Sequence, residues 1–102
     1  GWLLAQMDLA GGAHALQVAG GRVATVGIEA MSFHRPVYVG DLVSCYCSTR
    51  RIGRSSITVH VQTWVERSDA SGRQTIKVTE GLFTFVALDE QGAKRVIEPV
   101  AC

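Results

Sequence analysis

Almost no net charge is left on this sequence: ten basic against nine acidic residues give +1 over 102 residues. Without a basic excess there is no electrostatic footprint for nucleic acid or for an anionic membrane surface. No stretch reaches the roughly 18 uncharged apolar residues of a bilayer-spanning helix. The richest apolar run, residues 1–21, is interrupted by Gln6, Asp8 and His14. That run also lacks a basic leader, which argues against a secretory signal peptide. Cysteine is scarce and odd in number, with Cys45-x-Cys47 in one place and Cys102 far away. No C-x-x-C is present, so zinc and thioredoxin chemistry have no footing. Positions two apart on a strand rarely suit a disulfide. Buried thiols in a cytoplasmic protein are the expectation. His14, His34 and His60 have no partner at ligand spacing, so no metal site is expected. Repeats, low-complexity segments and the G-x-S-x-G, P-loop and dinucleotide-binding signatures are all missing.

What is present is 47% hydrophobic, enough to bury a core in one domain of the ordinary ~100–200-residue class. Residues 2–19, WLLAQMDLAGGAHALQVA, are rich in Ala and Leu and predict a helix. Gly20-Gly21 supplies its C-cap. Apolar residues run almost all round this helix, which predicts burial on most sides. The pattern then changes to period two. Strands are expected at Arg22–Phe33, Leu42–Arg51, Ser56–Arg67 and Gln74–Leu88, with a short strand or tail at Val96–Val100. Ile57, Val59, Val61, Thr63 and Val65 share one face of the third strand, and Thr58, His60, Gln62, Trp64 and Glu66 share the other. One helix and four strands joined mostly by hairpins make an α+β two-layer domain with a strongly curved antiparallel sheet. One helix cannot cover such a sheet. The apolar surplus, including Trp64, Phe83 and Phe85, predicts association with a second copy.

Asp8 is the residue most able to carry chemistry. A carboxylate on an apolar helix face costs several kcal/mol unless it is paired. It fits either a general base or nucleophile, or a structural Asp bonded to a backbone amide or an arginine. One turn on, Gly11-Gly12 costs ~1 kcal/mol per glycine relative to Ala, so something approaches the helix closely there. A substrate chain, a second helix or the sheet would each explain it. Gly53-Arg54-Ser55-Ser56 offers a cation, hydroxyls and turn amides able to hold a phosphate, or is a solvated hairpin turn. Arg22, after Gly20-Gly21, is equally ambiguous. Arg50, Arg51 and Arg54 form one basic cluster.

The helix GWLLAQMDLAGGAHA, the segment GGRVATVGIEAMSFHRPVYVGDLVSCY, the loop GRSSI and the strands ITVHVQTWVER and TEGLFTFVALDE together resemble the YciA-type acyl-CoA thioesterases. These are hotdog-fold enzymes related to the brain-type acyl-CoA hydrolases. W-x-x-x-Q-M-D followed by F-x-R-P-V-x-V-G-D carries the most specific part of the likeness, which runs from Gly1 to about Asp89. The resemblance implies a long central helix wrapped by the sheet and a single hotdog domain over residues 1–102. It implies pairing edge to edge into a homodimer, and a hexamer built as a trimer of dimers. Relative to the family the chain is incomplete at its N-terminus. A first strand and a motif like N-x-x-G-D-x-x-G-G precede the helix there, and only the last glycine, Gly1, is present.

Function follows from the same resemblance: hydrolysis of acyl-CoA to a free fatty or short-chain acid and CoA. The family's catalytic aspartate falls on Asp8, as general base or nucleophile, and amides near Gly1 would stabilise the oxyanion. Gly11, Gly12, Arg22, Thr25, Arg54, Ser55 and Ser56 are the expected substrate-binding residues. No metal and no cofactor beyond the substrate's own CoA is implied. The competing readings are a non-catalytic acyl-CoA-binding hotdog module, a hotdog dehydratase and an oligomerisation domain without ligand. The dehydratase needs a His paired with an acid, and His14, six residues after Asp8, faces another side of the helix.

Overall fold

The structure, a computed structural model, describes residues 1–98. Helix α1 spans Trp2–Ala19. It stops where Gly20 turns left-handed, at φ 73°, and returns its N–H to the Leu16 carbonyl at 2.9 Å. Only glycine enters that conformation without a Cβ penalty. Four strands follow, β1 Val23–Phe33, β2 Leu42–Ile52, β3 Ser56–Asp69 and β4 Gly72–Ala87. They form one antiparallel sheet in the order β1-β4-β3-β2, and α1 packs against all four. This is the expected α+β arrangement. No helix among the described residues is long and apolar enough to cross a membrane. The strand expected across Val96–Val100 is absent from 96–98, and 99–102, with Cys102, lie outside the described residues. Instead, Leu88 bridges Lys94, and the Ile97 N–H bonds the Arg54 carbonyl at 2.8 Å.

The core lies between the inner face of α1 and the middle of the sheet. Met7, Gly11, Ala15 and Ala19 recur every four residues, so they line one side of the helix. They face Ile57, Val59 and Val61 of β3 and Phe83, Phe85 and Ala87 of β4. Gly11 is the point of closest approach. A Cβ there would lie 3.1 Å from Val61 Cγ2 and 3.2 Å from Phe85 Cζ.

Two expectations are corrected here. The helix is not buried on most sides, because one sheet presents one concave face to it; Trp2 and Leu9 remain 62% and 68% exposed. Phe83 and Phe85 do not supply surface for association, because both point inward and are fully buried. The exposed apolar side chains are others, among them Trp2, Leu9, Leu16, Val26 and Ile28.

The strand order leaves β1 and β2 on opposite edges, so residues 34–41 must cross the end of the sheet, about 14 Å at three strand spacings. Arg67, near the end of β3, ties this crossing down. Its Nε and Nη2 donate to the two carboxylate oxygens of Asp41 at 3.0 and 2.7 Å, and Nη2 also donates to the Pro36 carbonyl at 3.2 Å. The guanidinium lies over the Tyr38 ring, 4.4 Å from its centroid. Asp41 also accepts the Tyr38 N–H, and these contacts, the arginine first, hold its carboxyl down at about 2. At the other end of the sheet Arg95 donates to the Leu88 carbonyl at 3.0 Å and to the Ala19 carbonyl at 2.8 Å. A cation is thereby fixed at the negative end of the helix dipole.

Candidate active site

Asp8 leaves α1 on the flank that faces β1, one residue past the buried Met7. Across from it, Thr25 on β1 donates its hydroxyl to Asp8 Oδ1 at 2.6 Å. No other donor among the described residues reaches the carboxylate, so Thr25 fixes its orientation and Oδ2 is left to solvent. The pair forms the polar end of an open groove of about 280 Å³ between α1 and β1. Leu9, Gly12, Ala13, Leu16, Val23 and Phe85 line the rest of it. A half-exposed carboxylate, oriented through one oxygen beside an apolar wall, can accept a proton from a water attacking a bound electrophile.

The groove gathers three of the expected site residues, Asp8, Gly12 and Thr25. Gly11 is turned into the sheet, against Val61 and Phe85. Gly1 caps the helix from outside and does not line the groove; seven residues of helical rise put it roughly 10 Å from Asp8 along the axis. Arg22 and the Arg54–Ser56 loop flank the end of β4: the Leu88 N–H bonds the Arg22 carbonyl and the Ala87 N–H the Ser55 carbonyl, both at 2.9 Å. The Arg54 side chain stays exposed. His14 lies 2.8 Å from Thr49 Oγ1 on the β2 side of the helix, so it and Asp8 do not meet. Among the described residues, no group of three or more His, Cys, Asp or Glu is placed to hold a metal ion.

A second polar cluster was not visible in the sequence. Glu80, on the outer face of β4, accepts hydrogen bonds from Lys77 Nζ at 2.8 Å and from His34 and His60 Nε2, both at 2.9 Å. Lys77 first, then the two imidazoles, lowers its carboxyl from 4.5 to about 2. Stability from a depressed carboxylate is fully present above its unfolded value and is lost as the pH falls through the folded one. Wild-type protein should therefore lose melting temperature between about pH 4.5 and 2, and Glu80→Gln should flatten part of that slope. Thermal melts across this range check it; an unchanged acid slope in the variant would show that Glu80 contributes nothing.

The chain matches the thioesterase superfamily over residues 1–70. It is 44% identical over 99 residues to an uncharacterized acyl-CoA thioester hydrolase of Haemophilus influenzae, covering 95% of this chain and 64% of that protein. It is 43% identical to the acyl-CoA thioester hydrolase YciA of Escherichia coli, covering 95% and 74%. Its structure is similar to that of a hexameric hotdog fold thioesterase of Campylobacter jejuni, with TM-score 0.91, 37% identity and coverage of 95% and 74%. The chain thus spans less than two thirds of the Haemophilus protein and about three quarters of the other two.

Proposed function

Because the chain belongs to the thioesterase superfamily and has its hotdog fold, we propose that it hydrolyses acyl-CoA thioesters to the free acid and CoA. The observation that carries this reading is the Thr25–Asp8 pair at the end of an apolar groove. Asp8 Oδ2 takes a proton from water as the oxygen attacks the thioester carbonyl carbon. The tetrahedral intermediate collapses with cleavage of the C–S bond, and the proton returns to the departing CoA sulfur. Direct attack by Asp8 is the other route; a single turnover in heavy-oxygen water would label the carboxylate only in that case. The chemistry calls for no metal or redox cofactor. A panel of acyl-CoAs with thiol release as readout tests the proposal, and the absence of turnover with every member would end it.

The nucleotide end is proposed to lie at Arg54, with Ser55 and Ser56 adding donors. Charge-assisted bonds to phosphate are worth roughly 1.5–3 kcal/mol. Arg54→Ala should raise KM for acyl-CoA about ten- to a hundredfold and spare kcat, since phosphate contacts hold ground and transition states alike. An acyl-pantetheine, which lacks the nucleotide, should not register the change. Equal losses on both substrates would mean that Arg54 supports the fold.

The protein is further proposed to act in the cytoplasm and to associate with copies of itself, as a dimer or a trimer of dimers. Free thiols at Cys45 and Cys47 support the first. Exposed apolar side chains on α1 and β1 and the hexameric Campylobacter relative support the second.

A further inference from the structure

We propose that the segment 94–97, which follows β4, is a positioning device for the Arg54 loop: Ile97, anchored by Arg95, holds that loop in the geometry that receives the phosphates of CoA. The inference rests on the placing of the nucleotide end at Arg54 and assigns the residues that would hold the loop for it. The turn from Gly53 to Ser56 is closed by a single bond of its own, from the Gly53 N–H to the Ser56 carbonyl at 2.8 Å. Glycine is needed there, since a Cβ on Gly53 would stand 2.7 Å from Ser56 Oγ. The Arg54 side chain is exposed and enters no ion pair among the described residues. Its direction is therefore set by its backbone.

Two bonds from outside the turn fix that backbone. The Ala87 N–H of β4 holds the Ser55 carbonyl at 2.9 Å, and the Ile97 N–H holds the Arg54 carbonyl at 2.8 Å. The peptide between Arg54 and Ser55 is trans, so its C=O and its N–H point in opposite directions across one plane. A carbonyl pinned by Ile97 therefore turns the Ser55 N–H away from residue 97. Among the described residues that N–H meets no backbone acceptor. It is a free donor next in the chain to an exposed cation, and such a pair suits a phosphate. A plain hairpin is already closed by its own bond, and the bond at the Arg54 carbonyl adds nothing to that closure.

Ile97 can act in this way because it is itself held. Its side chain is buried and joins the core cluster beneath α1. Two residues earlier the Arg95 N–H bonds the Ala87 carbonyl at 2.9 Å, while its guanidinium closes on the Leu88 and Ala19 carbonyls. Gly21 leaves the room for this, since a Cβ there would lie 3.1 Å from Arg95 Nη2. Upstream, Asp89 Oδ1 accepts the N–H groups of Gln91 and Ala93 and so shapes the turn that brings the segment back. Before it reaches the loop, the segment is thus tied to the end of the helix, to the end of β4 and to the core.

The test removes the Ile97 N–H alone, by placing the α-hydroxy acid counterpart of isoleucine at position 97. That exchange turns the amide into an ester and keeps the side chain. Arg95→Met, which releases the segment from the end of the helix, is the second variant, and Arg54→Ala is the control. Each is assayed by thiol release from one acyl group on two carriers, CoA and pantetheine, beside a thermal melt. The expected result for both variants is a rise in KM for acyl-CoA of about three- to tenfold, the worth of one hydrogen bond, with kcat unchanged and no effect on the acyl-pantetheine. Equal losses on both carriers, or a loss in kcat, would make the segment a support of the fold and overturn the inference. So would an unchanged KM in the ester variant where Arg54→Ala raises it. Should Arg95→Met melt below the assay temperature, the ester variant decides by the same criteria. If Arg54→Ala is itself silent on both carriers, it is the placing of the nucleotide that has failed, and this inference falls with it.

Discussion

Asp8→Asn is expected to lower kcat for acyl-CoA hydrolysis by about 10²–10⁴-fold, the usual contribution of a positioned general base, with almost no change in melting temperature. The reason lies in how the carboxylate is held. Thr25 donates to Oδ1 at 2.6 Å, and an asparagine carbonyl can accept the same hydroxyl. The amide nitrogen then stands where Oδ2 would take the proton, and it has no lone pair to offer. Stability is spared because the side chain is only half buried and its one hydrogen bond survives. Steady-state thiol release beside a thermal melt decides the matter. A kcat close to wild type would make Asp8 a structural residue and remove the mechanism.

The second large effect is thermodynamic. Phe85→Ala should destabilise the fold by about 3–5 kcal/mol, the usual cost of emptying an aromatic core position. Phe85 is 1% exposed and stacks beside Phe83 with ring centroids 6.5 Å apart. Its ring also lies beneath Gly11 and Gly12, so its loss removes what the helix rests on. Against a typical total of 5–15 kcal/mol, much of the population would be unfolded near body temperature. Urea titration measures the change; a loss below ~1 kcal/mol would mean that the helix settles into the gap.

Much of this architecture is legible in the residues themselves. The switch from Ala- and Leu-rich sequence to period two at Gly20-Gly21 marks the boundary between helix and sheet. The alternation from Ile57 to Val65 assigns the inner face of β3 correctly. What stays hidden depends on strand order. β1 pairs with β4 rather than with β2, and nothing local to residues 23–52 encodes that choice. The crossing at 34–41 follows from it, and so does the contact between Asp41 and Arg67, 26 residues apart. Glu80 escapes for a related reason. Its meeting with His60 depends on the β3–β4 register, and that register shifts between Thr63 and Trp64, where β4 carries an extra residue. Asp8 stands out in the sequence as a charge on an apolar helix, whereas the hydroxyl that orients it comes from another element.

Gly11 and Asp8 sit on one rigid rod. Gly11 sets how deeply that rod seats against Val61 and Phe85, with only 3.1–3.3 Å to a would-be Cβ. Asp8 is less than a turn away, so any lift of the seat passes to the carboxylate nearly undiminished, while Thr25 stays with the sheet. The spacing across the groove is thus gauged by the absence of a single methyl group. Misplacement of reacting groups by about 1 Å can cost on the order of a hundredfold in rate, whereas a few tenths of an ångström costs a packed interior comparatively little. The seat therefore has a tighter tolerance for turnover than for folding, and a change at Gly11 too mild to melt the protein could still put it out of adjustment.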